Sequence, residues 1–134
     1  MIKFLIRYLL SIISVGFVLY ISSMYIGLHI SMFVDFNILI LVLVPTLCLS
    51  FIDSNNKETL FKNMKDNSIR FGWIGFFIFL VTMSFSIGGL NQVTPQSITG
   101  IIGLNFGISC ISLLYGYMFG YLIFEPLRMY FSTK

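Results

Sequence analysis

From Phe71 to Phe124 the chain carries no Asp, Glu, Lys or Arg. That interval is long enough for two membrane crossings, since about 20 apolar residues cover the ~30 Å hydrocarbon core of a bilayer. A single charge at a helix centre costs about 2.5–3.5 kcal/mol even on the mild insertion scale. The rest of the sequence agrees. Of 134 residues, 57% are hydrophobic and only 10% charged, against about 25% charged in an ordinary soluble domain. A soluble domain of this length has too little polar surface in such a sequence to cover its core. Soluble enzymes, nucleic-acid binders and disordered regulators are excluded on this ground. The formal charge is +3, but the basic residues are too few and too scattered to track a phosphate backbone.

Four apolar runs are expected to form transmembrane helices, giving an all-α polytopic membrane protein with one domain over 1–134. The runs are 8–28, 36–52, 71–90 and 100–124, with a short cytoplasmic loop at 53–70. The first run follows Lys3 and Arg7 but is too long for a signal-peptide core and has no convincing cleavage site, so it is expected to be retained. Lys3, Arg7, Lys57, Lys62, Lys65, Arg70, Arg128 and Lys134 all fall at the two termini or in the middle loop. The positive-inside rule then places both termini and that loop in the cytoplasm. The expected location is a bacterial cytoplasmic (inner) membrane. Within the middle loop, Leu60, Phe61 and Met64 suit one side of a short interfacial helix.

Polar and small residues inside the runs are periodic. Asn105, Ser109, Ser112, Gly116 and Gly120 form one stripe on the fourth helix, and Gly75, Thr82, Ser86 and Gly89 a similar one on the third. Two readings stand. Small and hydroxyl residues let membrane helices approach and share hydrogen bonds, or such faces line a common path, with Thr82, Ser86, Asn105, Ser109 and Ser112 facing a pore or partner. Gly103 and Gly107, with Gly100, form a separate small face read as close helix packing, as are Gly75, Gly116 and Gly120.

Chemistry is sparse. His29 is alone, and no His/Cys/Asp/Glu cluster offers a metal site. Cys48 and Cys110 sit in apolar runs and read as packing residues. No phosphate loop or nucleophile triad is present, so no enzyme, catalytic residue or cofactor is expected. No acid lies in the middle of a run. Asp35 is expected to cap the second helix, and Glu125 to pair with Arg128 at i, i+3. Pro45 suggests a kink in the second helix, and Pro126 a bend or end to the fourth. Trp73 suits the cytoplasmic boundary of the third.

The stretch from Ser97 to Leu127 resembles the last transmembrane helix of the MotA branch of the MotA/TolQ/ExbB family. Ser97, Ile98, Gly103, Ser112, Leu114, Tyr115, Gly116, Leu122, Ile123, Phe124 and Pro126 carry the likeness. The segments from Phe71 and from Phe33 are similar to the family's preceding two helices, so the resemblance runs from Phe33 to Leu127 in unbroken order. It implies a homo-oligomer, a homopentamer, around the helices of a bitopic MotB/TolR/ExbD-like partner that carries an intramembrane Asp. The lipid bilayer is the other partner, and no nucleic acid is involved. The implied function is a ring-forming subunit of a proton- or sodium-driven membrane motor or energy-transducing channel. Three departures stand beside it: Phe76 and Phe79 occupy a family threonine and glycine, Leu113 follows Ser112 where the family has a second hydroxyl, and only 53–70 remains of the large cytoplasmic domain. A non-conducting structural or assembly subunit and a small-solute transporter are the other two readings, the last disfavoured by the lack of an intramembrane charge.

Overall fold

The computed structural model describes residues 2–26, 33–88 and 95–132, with side chains over most of them. Helix accounts for nearly all of this, and no strand occurs among the described residues. Helix α1 is Ile2–Ile26, α2 is Phe36–Ile52 and α3 is Lys57–Gly88. Helix α4 is Pro95–Tyr117, which continues through a π-helical segment, Met118–Phe124, into α5, Glu125–Ser132. Two of these helices are long and apolar enough to cross a membrane, one in α3 and one in the α4–α5 run. By the same measure α2 and the apolar part of α1 are shorter.

The segment 53–70 departs from the expected loop. Only 53–56 connects α2 to α3, and α3 then runs unbroken for 32 residues, about 48 Å. The polar composition of 57–70 hid a helix that reaches beyond the apolar span. Met64, Asn67, Ser68 and Phe71 recur at helical spacing, and the first three are buried. Leu60, Phe61 and Met64 therefore belong to the same helix as the third apolar run.

Helices α2, α3 and α4 form an antiparallel bundle with α3 in contact with both others, and α5 folds along the first turns of α3. α1 meets this bundle along the π-helical segment, where Tyr8, Ile12 and Gly16 face Met118, Phe119 and Leu122 across an apolar cleft of about 290 Å³. Asp35 caps α2 as expected: its Oδ1 accepts from Asn37 N (2.9 Å) and Ile38 N (3.2 Å). α2 stays helical through Pro45. Pro126 neither breaks nor ends the fourth helix. Proline lacks a donor and crowds the carbonyl of the preceding turn, and just ahead of it the helix widens, Glu125 N bonding the carbonyl of Gly120.

The main apolar cluster lies where Ile38, Val42 and Tyr115 are covered by Leu39, Phe71, Phe79, Ile108 and Ile111, and Met64 and Phe124 are buried nearer the charged end. Much of the remaining apolar surface is outside. Val44, Phe51, Ile52, Phe77, Val81, Phe85 and Phe106 are all at least half exposed. An outward coat of this kind suits lipid or other helices. Cys48 and Cys110 are likewise exposed and do not pack inside the chain.

Candidate functional site

The candidate site is the seam where α3 meets α4. Ser109, Ser112, Gly116 and Gly120 of the α4 stripe are all buried in it. Facing them on α3 are Ser68, Gly72 and Gly75. The approach is backbone to backbone. A β-carbon on Gly116 would stand 2.7 Å from the Ser68 carbonyl oxygen and 2.9 Å from Gly72 Cα. One on Gly72 would stand 3.0 Å from Gly116 Cα, and one on Gly75 3.0 Å from both Ser112 Cβ and a Leu41 methyl. Gly120 lies against the Ser68 hydroxyl and Ile69.

The buried hydroxyls are fully engaged by the backbone. Ser109 Oγ donates to Asn105 O at 2.8 Å. Ser112 Oγ donates to Ser109 O at 2.8 Å and across the seam to Gly72 O at 3.1 Å. Ser68 Oγ makes the reciprocal pair, to Lys65 O at 2.8 Å and to Gly116 O at 3.2 Å. A hydroxyl has one proton, so those of Ser112 and Ser68 are each shared between a carbonyl of their own helix and one of the neighbour. None of these protons is left to line a wet path. The seam of a single chain is a packing surface.

The other sequence-predicted residues lie apart. Thr82 is on the exposed side of α3, its hydroxyl donating to Phe79 O at 2.9 Å. Asn105 is half-buried at the edge of the seam. Gly103 and Gly107 face away from it, and a β-carbon there, as at Gly100, would meet nothing within 4 Å. Among the described residues these two glycines pack against no other helix. The Ser86 side chain and Gly89 lie outside the described residues, as do the side chains of Lys3, Arg7 and Ser97, and His29. Phe76 belongs to an aromatic group with Trp73, Phe77 and Phe106, whereas Phe79 covers the apolar core.

Three groups escaped the sequence reading. On α2, Ile38, Val42, Thr46 and Ser50 form a fully buried file at a spacing of four. That spacing was present in the sequence but blurred by apolar residues on every face. Ser50 Oγ accepts from Asn67 Nδ2 at 3.0 Å, and one turn further Asn63 Nδ2 reaches Ser54 Oγ at 3.1 Å. At the same end Glu125 pairs with Arg128 (2.8 Å), as expected, and also with Lys65 of α3. Lys65 Nζ stands 3.0 Å from Oε2 in an ion pair whose geometry falls short of a hydrogen bond. Lys65 also lies 4.8 Å over the Tyr121 ring, while Phe61 stacks on Phe131 at 5.3 Å. The third group is Tyr115. Its hydroxyl donates to Phe33 O and accepts from Asp35 N, both at 2.8 Å, and so ties the start of α2 to α4.

Among the described residues no three His, Cys, Asp or Glu side chains come together as a metal-binding set. No protein-family profile, no curated protein and no solved structure matches this chain.

Proposed function

We propose that the chain is a four-span subunit of a bacterial cytoplasmic membrane, with both termini on the cytoplasmic side. In this reading it assembles with copies of itself, as a pentamer, into a ring around a bitopic MotB/TolR/ExbD-like partner, and serves an ion-driven motor or energy-transducing channel of MotA/TolQ/ExbB type. One observation carries the subunit character. The α4 stripe of Ser109, Ser112, Gly116 and Gly120 is taken up inside one chain against Ser68, Gly72 and Gly75 of α3, while both long helices keep large apolar side chains outside. An ion path lined by this protein then runs between chains, along exposed faces such as that of Thr82. The positions of the basic residues support the orientation, and the likeness of 33–127 to the family's helices supports the assembly.

The second reading is a non-conducting structural subunit on the same helices. The closure of the seam by backbone-bonded hydroxyls and the aromatic group around Phe76 favour it. Native mass spectrometry of the complex extracted from membranes tests both. A ring of copies with a bitopic companion supports the first reading, and a solitary chain defeats both. Partner-dependent ion flux in liposomes then separates them: flux that falls on Thr82→Val supports a path between chains, and no flux from an intact ring leaves the structural role.

A further inference from the structure

Helix α1 is held differently from the other helices. Its main attachment is to the π-helical segment, and Leu10, Ile13, Phe17, Val18 and Met24 are all more than half exposed. Where α3 meets α4, Gly116 brings backbone onto backbone. A β-carbon on Gly16, the one glycine of α1, would meet nothing within 4 Å. The two walls stay apart, and the half-open cleft of about 290 Å³ remains between them. Of its lining side chains only that of Tyr8 carries a polar group. The facing wall is the π-helical segment itself, a rare geometry that recurs at functional sites.

The size of the cleft limits what fills it. Along α1 it extends from Tyr8 to Gly16, about 12 Å. A helix is about 10–12 Å across with its side chains, so a stretch as long as the cleft fills roughly 1,000 Å³, far more than this space holds. Water finds no set of polar partners there. Left empty, the walls lose their contacts on one side. A single hydrocarbon chain is slim enough, and about 12 Å is most of one leaflet of a ~30 Å core.

Charge sets the other half of the occupant. Arg7 directly precedes Tyr8, and Glu125 follows Ile123 by two residues, so both walls reach charged sequence just beyond the cleft. In the proposed orientation this is the cytoplasmic boundary. All eight basic residues fall on that side, together with four of the five acids, Asp35 being the other. The excess of positive charge draws anionic headgroups to the adjoining leaflet.

We propose that this cleft seats one acyl chain of an anionic phospholipid of the cytoplasmic leaflet, which packs α1 onto the π-helical segment. This rests on α1 spanning the bilayer with its start in the cytoplasm, but not on the ring or the bitopic partner.

The test uses the full chain extracted from membranes. Native mass spectrometry counts bound lipid, with phosphatidylglycerol and phosphatidylcholine of equal chain length as probes. One phosphatidylglycerol per chain is expected to survive detergent that strips phosphatidylcholine. Gly16→Leu places a side chain in open space. It is expected to weaken that retention at least about tenfold, the effect of about two methylenes driven from apolar contact. Ile13→Phe, an enlargement on an exposed face of the same helix, is expected to leave retention unchanged. Retention of neither lipid, equal retention of both, or equal losses from the two substitutions overturns the proposal. So does loss of an oligomer in place of lipid on Gly16→Leu, which assigns the cleft to side chains of a second copy. The two lipids compared on the unaltered chain decide the matter even where Gly16→Leu fails to accumulate. The span itself is checked apart, with Cys48→Ser and Cys110→Ser as background. Val18→Cys is expected to resist a water-soluble maleimide in opened membranes. Free reaction there overturns α1 as a span and the proposal with it, whereas resistance without retained lipid overturns the proposal alone.

Discussion

Gly116 and Gly103 are the same residue on one helix, in opposite surroundings. A β-carbon at Gly116 would run into the Ser68 carbonyl at 2.7 Å, whereas one at Gly103 would meet nothing within 4 Å. The two ends of the fourth helix thus use small residues differently. Toward the charged end, Ser112, Gly116 and Gly120 bring two backbones together so that hydroxyls can bridge them. Toward the far end, Gly100, Gly103 and Gly107 leave a bare strip with no counterpart among the described residues. Small residues in a membrane helix therefore mark where a backbone is able to approach. Whether one does depends on the phase of the neighbouring helix.

The sharpest way to break this contrast is to fill both places. Gly116→Leu forces side-chain atoms against backbone that cannot yield and is expected to cost about 3 kcal/mol or more in detergent unfolding. Gly103→Ala meets no obstacle and removes a helix-weakening glycine, so the chain is expected to hold its stability or gain about 0.5–1 kcal/mol. Equal losses from the two substitutions would abolish the distinction.

Tyr115→Phe leaves Asp35 N and Phe33 O without their partner, at an expected cost of about 1–3 kcal/mol. Amide exchange at Asp35 should quicken while that at Asn67, near the charged end, stays as it was. A uniform change across α2 would mean that the Tyr115 bonds do not hold its start locally.

Ser112→Val and Thr82→Val test the seam against the exposed face. Ser112 is fully buried, with Gly75 against its β-carbon. Its replacement is expected to cost about 1–3 kcal/mol by overpacking and loss of the Gly72 bond. Thr82→Val is expected to stay within about 0.5 kcal/mol. Ser112 is thus a poor probe of conduction, because a loss of flux there would follow from a disturbed fold.

The smallest effect is expected at the charged end. Glu125→Gln weakens the pairs to Lys65 and Arg128, which remain partly open to solvent, and about 0.5–1 kcal/mol is expected. A double-mutant cycle with Lys65→Met should show coupling of that order, reduced by added salt.

Much of this was legible in the residue order. The long apolar runs within the uncharged interval from Phe71 to Phe124 read as membrane-crossing helices, since a helix satisfies its own backbone where water is absent. The cap at Asp35 and the pair Glu125–Arg128 depend on neighbours a few positions away, so spacing sufficed. The grouping of Ser109, Ser112, Gly116 and Gly120 followed from 3.6 residues per turn. The helical start of α3 was obscured because 57–70 is polar, and a helix that leaves a bilayer changes composition without changing hydrogen bonding. Ser68 and Gly72 were passed over for that reason, being assigned to a loop and to its edge.

Hydropathy and helical period state what shares a face on one helix, since both are set by covalent spacing. They are silent on which face of the next helix arrives opposite, and at what height. Those depend on the sliding and rotation of whole helices, settled here by the Gly72–Gly116 approach and the Ser50–Asn67 bond. Sequence alone therefore determined an all-helical, membrane-compatible chain with its caps and stripes. Only the packing decided that the file of Gly116 and Gly120 is buried while Gly100, Gly103 and Gly107 meet nothing among the described residues.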